Sequence, residues 1–134
     1  MKTIQNSLNN LNRKKYVLRT LALTMTATVL RWALDCLNQR KVVVLATVIE
    51  TSGSVPGKVG ARIAMSDLGE SWVGTVGGAG LEMKVLSRCK DLINEYSNPY
   101  GEVKIFGLNK GAKGYEVQPL DSLCGGRVTL SIEV

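Results

Sequence analysis

Three glycine-rich stretches carry the residues with the most chemical potential: TSGSVPGKVGAR (51–62), GTVGGAGLE (74–82) and LCGGR (123–127). Each stands at the end of a strand candidate, and open α/β sheets place ligands in the crevice beyond strand ends. Glycine lets backbone approach a ligand closely, and a turn that opens a helix aims free N–H groups at an anion. A phosphate-bearing small molecule fits that chemistry; tight turns alone also account for any one of the loops, and the 74–80 string has neither Walker A nor dinucleotide-fold spacing. Cys124 sits beside Gly125 and Gly126, away from any apolar stripe. Its thiolate would be a nucleophile or a soft ligand, helped by Arg127 if the two approach, and its other role is loop packing. Glu82, in the first turn after the glycines, either complements the helix dipole or contacts a ligand. Arg62 either faces an anion or is a solvated residue on an alternating strand.

The 134 residues include no His, which removes Ser-His-Asp and Cys-His nucleophile pairs and every His-containing zinc site. The cysteines are at 36, 89 and 124, odd in number and without a Cys-x-x-Cys pair. Neither a disulfide framework nor a zinc site is signalled, Cys124 is the sole protein side chain considered as a metal ligand, and a reduced, cytoplasmic compartment is expected. No acidic ribose-binding residue can be placed after the glycine turn, which weighs against a nucleotide-using oxidoreductase.

The elements that must position these loops follow from periodicity. Val29, Leu30, Ala33, Leu34 and Leu37 recur at helical spacing within residues 24–39 and predict the first core helix. Residues 42–50 are nearly continuous in apolar and β-branched types, as in a central strand covered on both faces. Strands are expected at 61–66 and 71–76, joined as a hairpin through 67–70, and at 102–106. Leu81, Val85, Cys89, Leu92, Ile93 and Tyr96 mark a second helix that starts from the glycine turn and stops before Pro99. Residues 107–123 read as a long polar loop, and 126–134 alternate as a half-exposed final strand whose free edge would allow pairing into a homo-oligomer. The fold class is α/β: one mixed-sheet domain with two main helices. Cys36 and Cys89 fall in or beside the helical stripes and are expected in the core.

The net charge of +6 is unevenly placed. Lys2, Arg13, Lys14, Lys15, Arg19, Arg31, Arg40 and Lys41 face Asp35 alone in residues 1–41, a net of +7, and the remainder nets −1. With one Phe and no basic surface interleaved with aromatics, nucleic acid is not an expected partner. The uncharged run 20–30 has 11 residues, four of them Thr, too short and polar to span a membrane, and Asp35 stands before Cys36 where a lipoprotein signal needs a small residue. Residues 1–24 are expected to be a basic extension with little structure of its own, and 25–134 the domain.

At the glycine loops the chain resembles the XdhC/CoxI family, the accessory proteins that mature xanthine dehydrogenase and related molybdenum hydroxylases. VLATVIETSGSVPGKVGAR, GTVGGAGLE and LCGGRVTLSIE occur in the family's order and spacing behind the helix at 24–39. The likeness covers about residues 25–134 and is to the family's N-terminal domain alone, without the Rossmann-type domain into which members usually continue. The resemblance implies transient binding of the molybdenum cofactor, exchange of a terminal oxygen for sulfur, and hand-over to the apo-hydroxylase by an accessory chaperone rather than a self-sufficient enzyme; a sulfur donor and a separate Rossmann-domain subunit are implied partners. The alternative is a non-catalytic interaction module that docks the hydroxylase or the Rossmann partner. By the same likeness Cys124, Gly125 and Gly126 correspond to the family's Cys-Gly-Gly motif, Gly77, Gly78, Gly80 and Glu82 to its glycine turn, and Ser54 and Arg62 to its Gly-Ser-Val-Pro to Ala-Arg segment. Gly57 departs from the Arg or Lys common after the proline, and Asp121-Ser122 from a common Gly-Met.

Overall fold

A computed structural model of the chain describes residues 2–96, 98–109, 111–112, 114, 117–120 and 125–134, excluding the side chains of 11, 13–24 and 79. The elements are α1 (Lys2–Asn38), β1 (Val44–Ser52), β2 (Arg62–Ser66), β3 (Ser71–Gly74), α2 (Ala79–Glu95), β4 (Gly101–Gly107), β5 (Val117–Pro119) and β6 (Arg127–Glu133). The strands form a single six-stranded sheet in the order β3-β2-β1-β6-β4-β5. All neighbours are antiparallel except β4 and β5.

The sheet has two unequal faces. Val44, Ala46 and Val48 of β1, Ile63 and Met65 of β2, Phe106 of β4, and Val128, Leu130 and Ile132 of β6 pack with the α2 stripe Leu81, Val85, Leu86, Cys89, Leu92 and Ile93. This is the main core, and it holds the whole α2 stripe foreseen from periodicity except Tyr96, which is half-buried. On the other face Val29, Ala33 and Cys36 of α1 cover Val43 and Ala64, with Trp32, Leu45 and Val73 alongside. β1 is therefore central and flanked on both faces, as its apolar run implies.

Several expectations need correction. The first helix does not begin at residue 24: backbone helix runs unbroken from Lys2. There is no Gly or Pro before Gly53 to stop it, so propensity carries the helix through the basic stretch. It ends where foreseen, with Arg40 at φ 60 and the bonds Lys41 N–H to Cys36 O (3.1 Å) and Arg40 N–H to Leu37 O (2.8 Å), a Schellman closure. Only two of the five residues of the anticipated α1 stripe, Val29 and Ala33, are buried; Leu30, Leu34 and Leu37 are exposed while Cys36 takes a core place. The 107–123 segment, expected to be loop, contributes β5, which pairs parallel with β4 through Ile105–Val117. Finally β6 alternates in burial as expected but lies inside the sheet between β1 and β4, so it offers no free edge. The edges are β3 and β5 instead, four and three residues long.

The β2–β3 hairpin turns through Asp67 and Leu68, both in the left-handed region, with Lys41 paired to Asp67 at 2.8 Å. The hydroxyl of Ser66, fully buried at the end of β2, donates to Val42 O at 2.7 Å.

Candidate functional site

The antiparallel registers bring the end of β1, the start of β2, the ends of β3 and β4 and the start of β6 to one end of the sheet. The three glycine loops consequently meet, and they do so backbone against backbone. An ideal Cβ on Gly57 would lie 2.3 Å from Val76 O, and one on Gly77 would lie 2.4 Å from Gly57 Cα. The 51–61 loop presses in the same way on the third loop: a Cβ on Gly126 would lie 2.4 Å from Ser52 O and 2.6 Å from Ser54 O. Gly126 N–H donates to Ser54 O at 3.0 Å, and Leu108 N–H donates to Gly126 O at 2.9 Å, which adds the end of β4 to the cluster. At Gly57 this chain thus has no room for a side chain.

Glu82 locks the second loop. Its carboxylate accepts from the Thr75 hydroxyl and from the Val76 N–H (3.3 Å), while Gly77 N–H donates to Thr75 Oγ1 at 3.2 Å and Glu82 N–H begins the helix on Gly78 O at 2.8 Å. A carboxylate in this position also lies favourably at the positive end of α2. Gly78 (φ 138) and Gly77 (φ 121) have backbone conformations closed to other residues.

Two glycines of the cluster answer to no such demand. Gly80 and Gly125 have neither a left-handed φ nor, among the described residues, any atom within 4 Å of an added Cβ, and both are exposed. Gly80 stands in the first turn of α2, where glycine weakens a helix. Cys124 lies outside the described residues, next to Gly125. Ser54 is exposed and enters the cluster through its carbonyl; Arg127 is exposed at the start of β6.

Arg62 stands with Gly74 of the second loop and apart from Gly77, Gly78, Gly80, Gly125 and Gly126. Its backbone carbonyl takes the Thr75 N–H at 2.9 Å, but its side chain lines a cavity of about 280 Å³ shared with α1, together with Met25, Thr26, Val29, Lys58 and Thr75. Of these, Arg62 alone was expected at a site from sequence, because the cavity depends on where α1 crosses the sheet.

Among the described residues no three Cys, Asp or Glu side chains gather as metal ligands, and no helix is long and apolar enough to cross a membrane. Cys36 and Cys89 are free and buried, as expected, and burial pushes the Cys89 thiol up to about 12. That thiol is therefore kept protonated and inert.

No curated protein matches the chain. A solved xanthine dehydrogenase structure from Bacillus halodurans is similar at 23% identity and a TM-score of 0.48, over 67% of this chain and 25% of that one; the chain thus spans about a quarter of that protein's length. Residues 36–98, from the last turn of α1 through β1, the first two glycine loops and α2, match the XdhC and CoxI family.

Proposed function

We propose that the protein is an accessory factor for a xanthine dehydrogenase or a related molybdenum hydroxylase, and that it binds the molybdenum cofactor at the end of the sheet where the glycine loops meet. The observation that carries this reading is the pair Gly80 and Gly125, glycines that neither backbone conformation nor packing requires, beside loops that are otherwise pressed together. Removing side chains where the fold does not ask for it leaves backbone N–H groups open to a ligand. The donor set suits the cofactor: the first turn of α2 offers N–H groups to its phosphate, and Cys124 with Arg127 offers a thiol and a cation. When bound, the cofactor supplies a molybdenum centre whose terminal oxygen is exchanged for sulfur. The protein's own task is to hold and shield it, with Glu82 and Thr75 keeping the second loop in shape. An apo-hydroxylase, a sulfur donor and a Rossmann-domain subunit are the partners this role requires, and the cytoplasm is where they would meet.

A second reading, a docking module that takes no small molecule, is favoured by the uncovered part of the sheet face carrying Val103, which is 56% exposed on β4. Incubation with isolated molybdenum cofactor followed by gel filtration separates the two. Molybdenum and pterin retained by the wild type and lost by Cys124→Ser support the cofactor site. Retention of neither by the wild type overturns autonomous binding, and a hydroxylase copurifying without molybdenum then supports the docking module.

A further inference from the structure

The cavity between α1 and the β2–β3 edge belongs to neither reading. Its lining holds two cations, Lys58 and Arg62, and no carboxylate among the described residues. The Nε of Arg62 is shut off from solvent and has no acceptor among the described residues. A buried N–H on a charged group without a partner is costly, and native proteins almost always supply one. Met25 and Val29 of α1 with Ala61 supply apolar lining, and Thr26 lines the cavity as well. At about 280 Å³ the space approaches the lower end of small-ligand pockets, roughly 300 Å³. Gly74 closes its floor: a Cβ there would sit 2.1 Å from Arg62 O and 2.9 Å from Val29 Cγ2, so α1 rests directly on the strand beside the opening.

We propose that this cavity binds a small organic oxyanion, with a phosphate or carboxylate head on Arg62 and Lys58 and a compact apolar body against Met25 and Val29. An arginine fork recognises such heads through paired N–H groups. The site does not rest on the cofactor reading, since none of Gly77, Gly78, Gly80, Gly125 or Gly126 lines it. It does require α1, whose contributing residues 25–29 precede the family-matching segment.

Calorimetric titration of the full chain with phenyl phosphate, benzoate, inorganic phosphate and benzylamine tests this. The two aryl anions are expected to bind saturably and to compete, benzylamine not to bind, and inorganic phosphate to bind about ten-fold more weakly than phenyl phosphate for want of an apolar body. Arg62→Gln should weaken phenyl phosphate binding about ten-fold. Met25→Asp, in the wall, should abolish it. Should circular dichroism show Arg62→Gln unfolded, Lys58→Gln on the exposed loop replaces it with the same expected direction. Absence of saturable binding by both aryl anions, equal binding of benzylamine, or unchanged affinity in folded variants overturns the proposal.

Discussion

Glycines that look alike in the sequence have opposite physical reasons for being there. Gly57 and Gly77 occupy points where a methyl group would collide with backbone, which cannot retreat as a flexible side chain can. Alanine at either should destabilise by about 2–4 kcal/mol, the range of overpacking with backbone strain added at Gly77. Gly80→Ala should leave urea-unfolding stability unchanged or raise it by about 0.5 kcal/mol, since it removes a helix-weakening residue. A Gly80→Ala variant as unstable as Gly57→Ala would show that the first turn of α2 is closed by packing and is not free for a ligand. The strings of glycine were legible at once, but their division into structural and unexplained members was not, because it depends on contacts between loops far apart in sequence. Glu82 illustrates the same point: its place in the first turn of a helix was evident, whereas its grip on Thr75 and Val76 becomes visible only with the turn's path known.

α2 is tied to the sheet by more than its apolar stripe. Arg88 donates from Nε and Nη2 to the two carboxylate oxygens of Glu102 on β4, each at 2.8 Å, and Glu95 lies 3.5 Å from Nη1. Tyr100 adds a hydroxyl to Glu102 at 3.2 Å and stacks on Tyr96, ring centroids 4.0 Å apart, so the connection after α2 is held at both ends. The Arg88 hydrogen bonds hold the Glu102 carboxyl below its usual range, against the opposing effect of burial. A depressed folded-state value contributes stability that is complete above the unfolded value, about pH 4.3, and is lost as pH falls through the folded one. Glu102→Gln should therefore cost about 1–3 kcal/mol near neutrality and flatten the acid limb of stability against pH. A melt series from pH 7 to acid that gives parallel curves for the two proteins would refute that assignment. At this scale legibility followed periodicity. α2, β1 and β6 were readable because their apolar repeats match a buried face, and β5 was not, being three residues ending in Pro119 with no repeat. The α1 stripe misled at Leu30, Leu34 and Leu37, since a helix lying mainly over β2 and β3 buries a narrower band than the repeat offers.

For the molecule as a whole, charge and core are segregated. α1 is about 55 Å long by its residue count, yet its buried side chains among the described residues are Val29, Ala33 and Cys36, and residues 2–10 are exposed. We propose that residues 25–134 are the folding unit; deleting residues 2–10 should then change the unfolding free energy by no more than about 0.5 kcal/mol. A loss of several times that in thermal melts would mean the arm is part of the fold. That the three loops could meet was legible from their places at strand ends, but which backbones press together follows from the pairing of β6 between β1 and β4, which no local pattern encodes. The sheet's two outer strands carry a last consequence. β3 gives a second chain only four residues to pair with, and β5 three, the last of them a proline without an N–H. Growth by strand addition has little template at either side, so concentrating the protein should not seed fibrils, and the apolar strands β1 and β6, the most fibril-prone segments by composition, stay shielded in the middle.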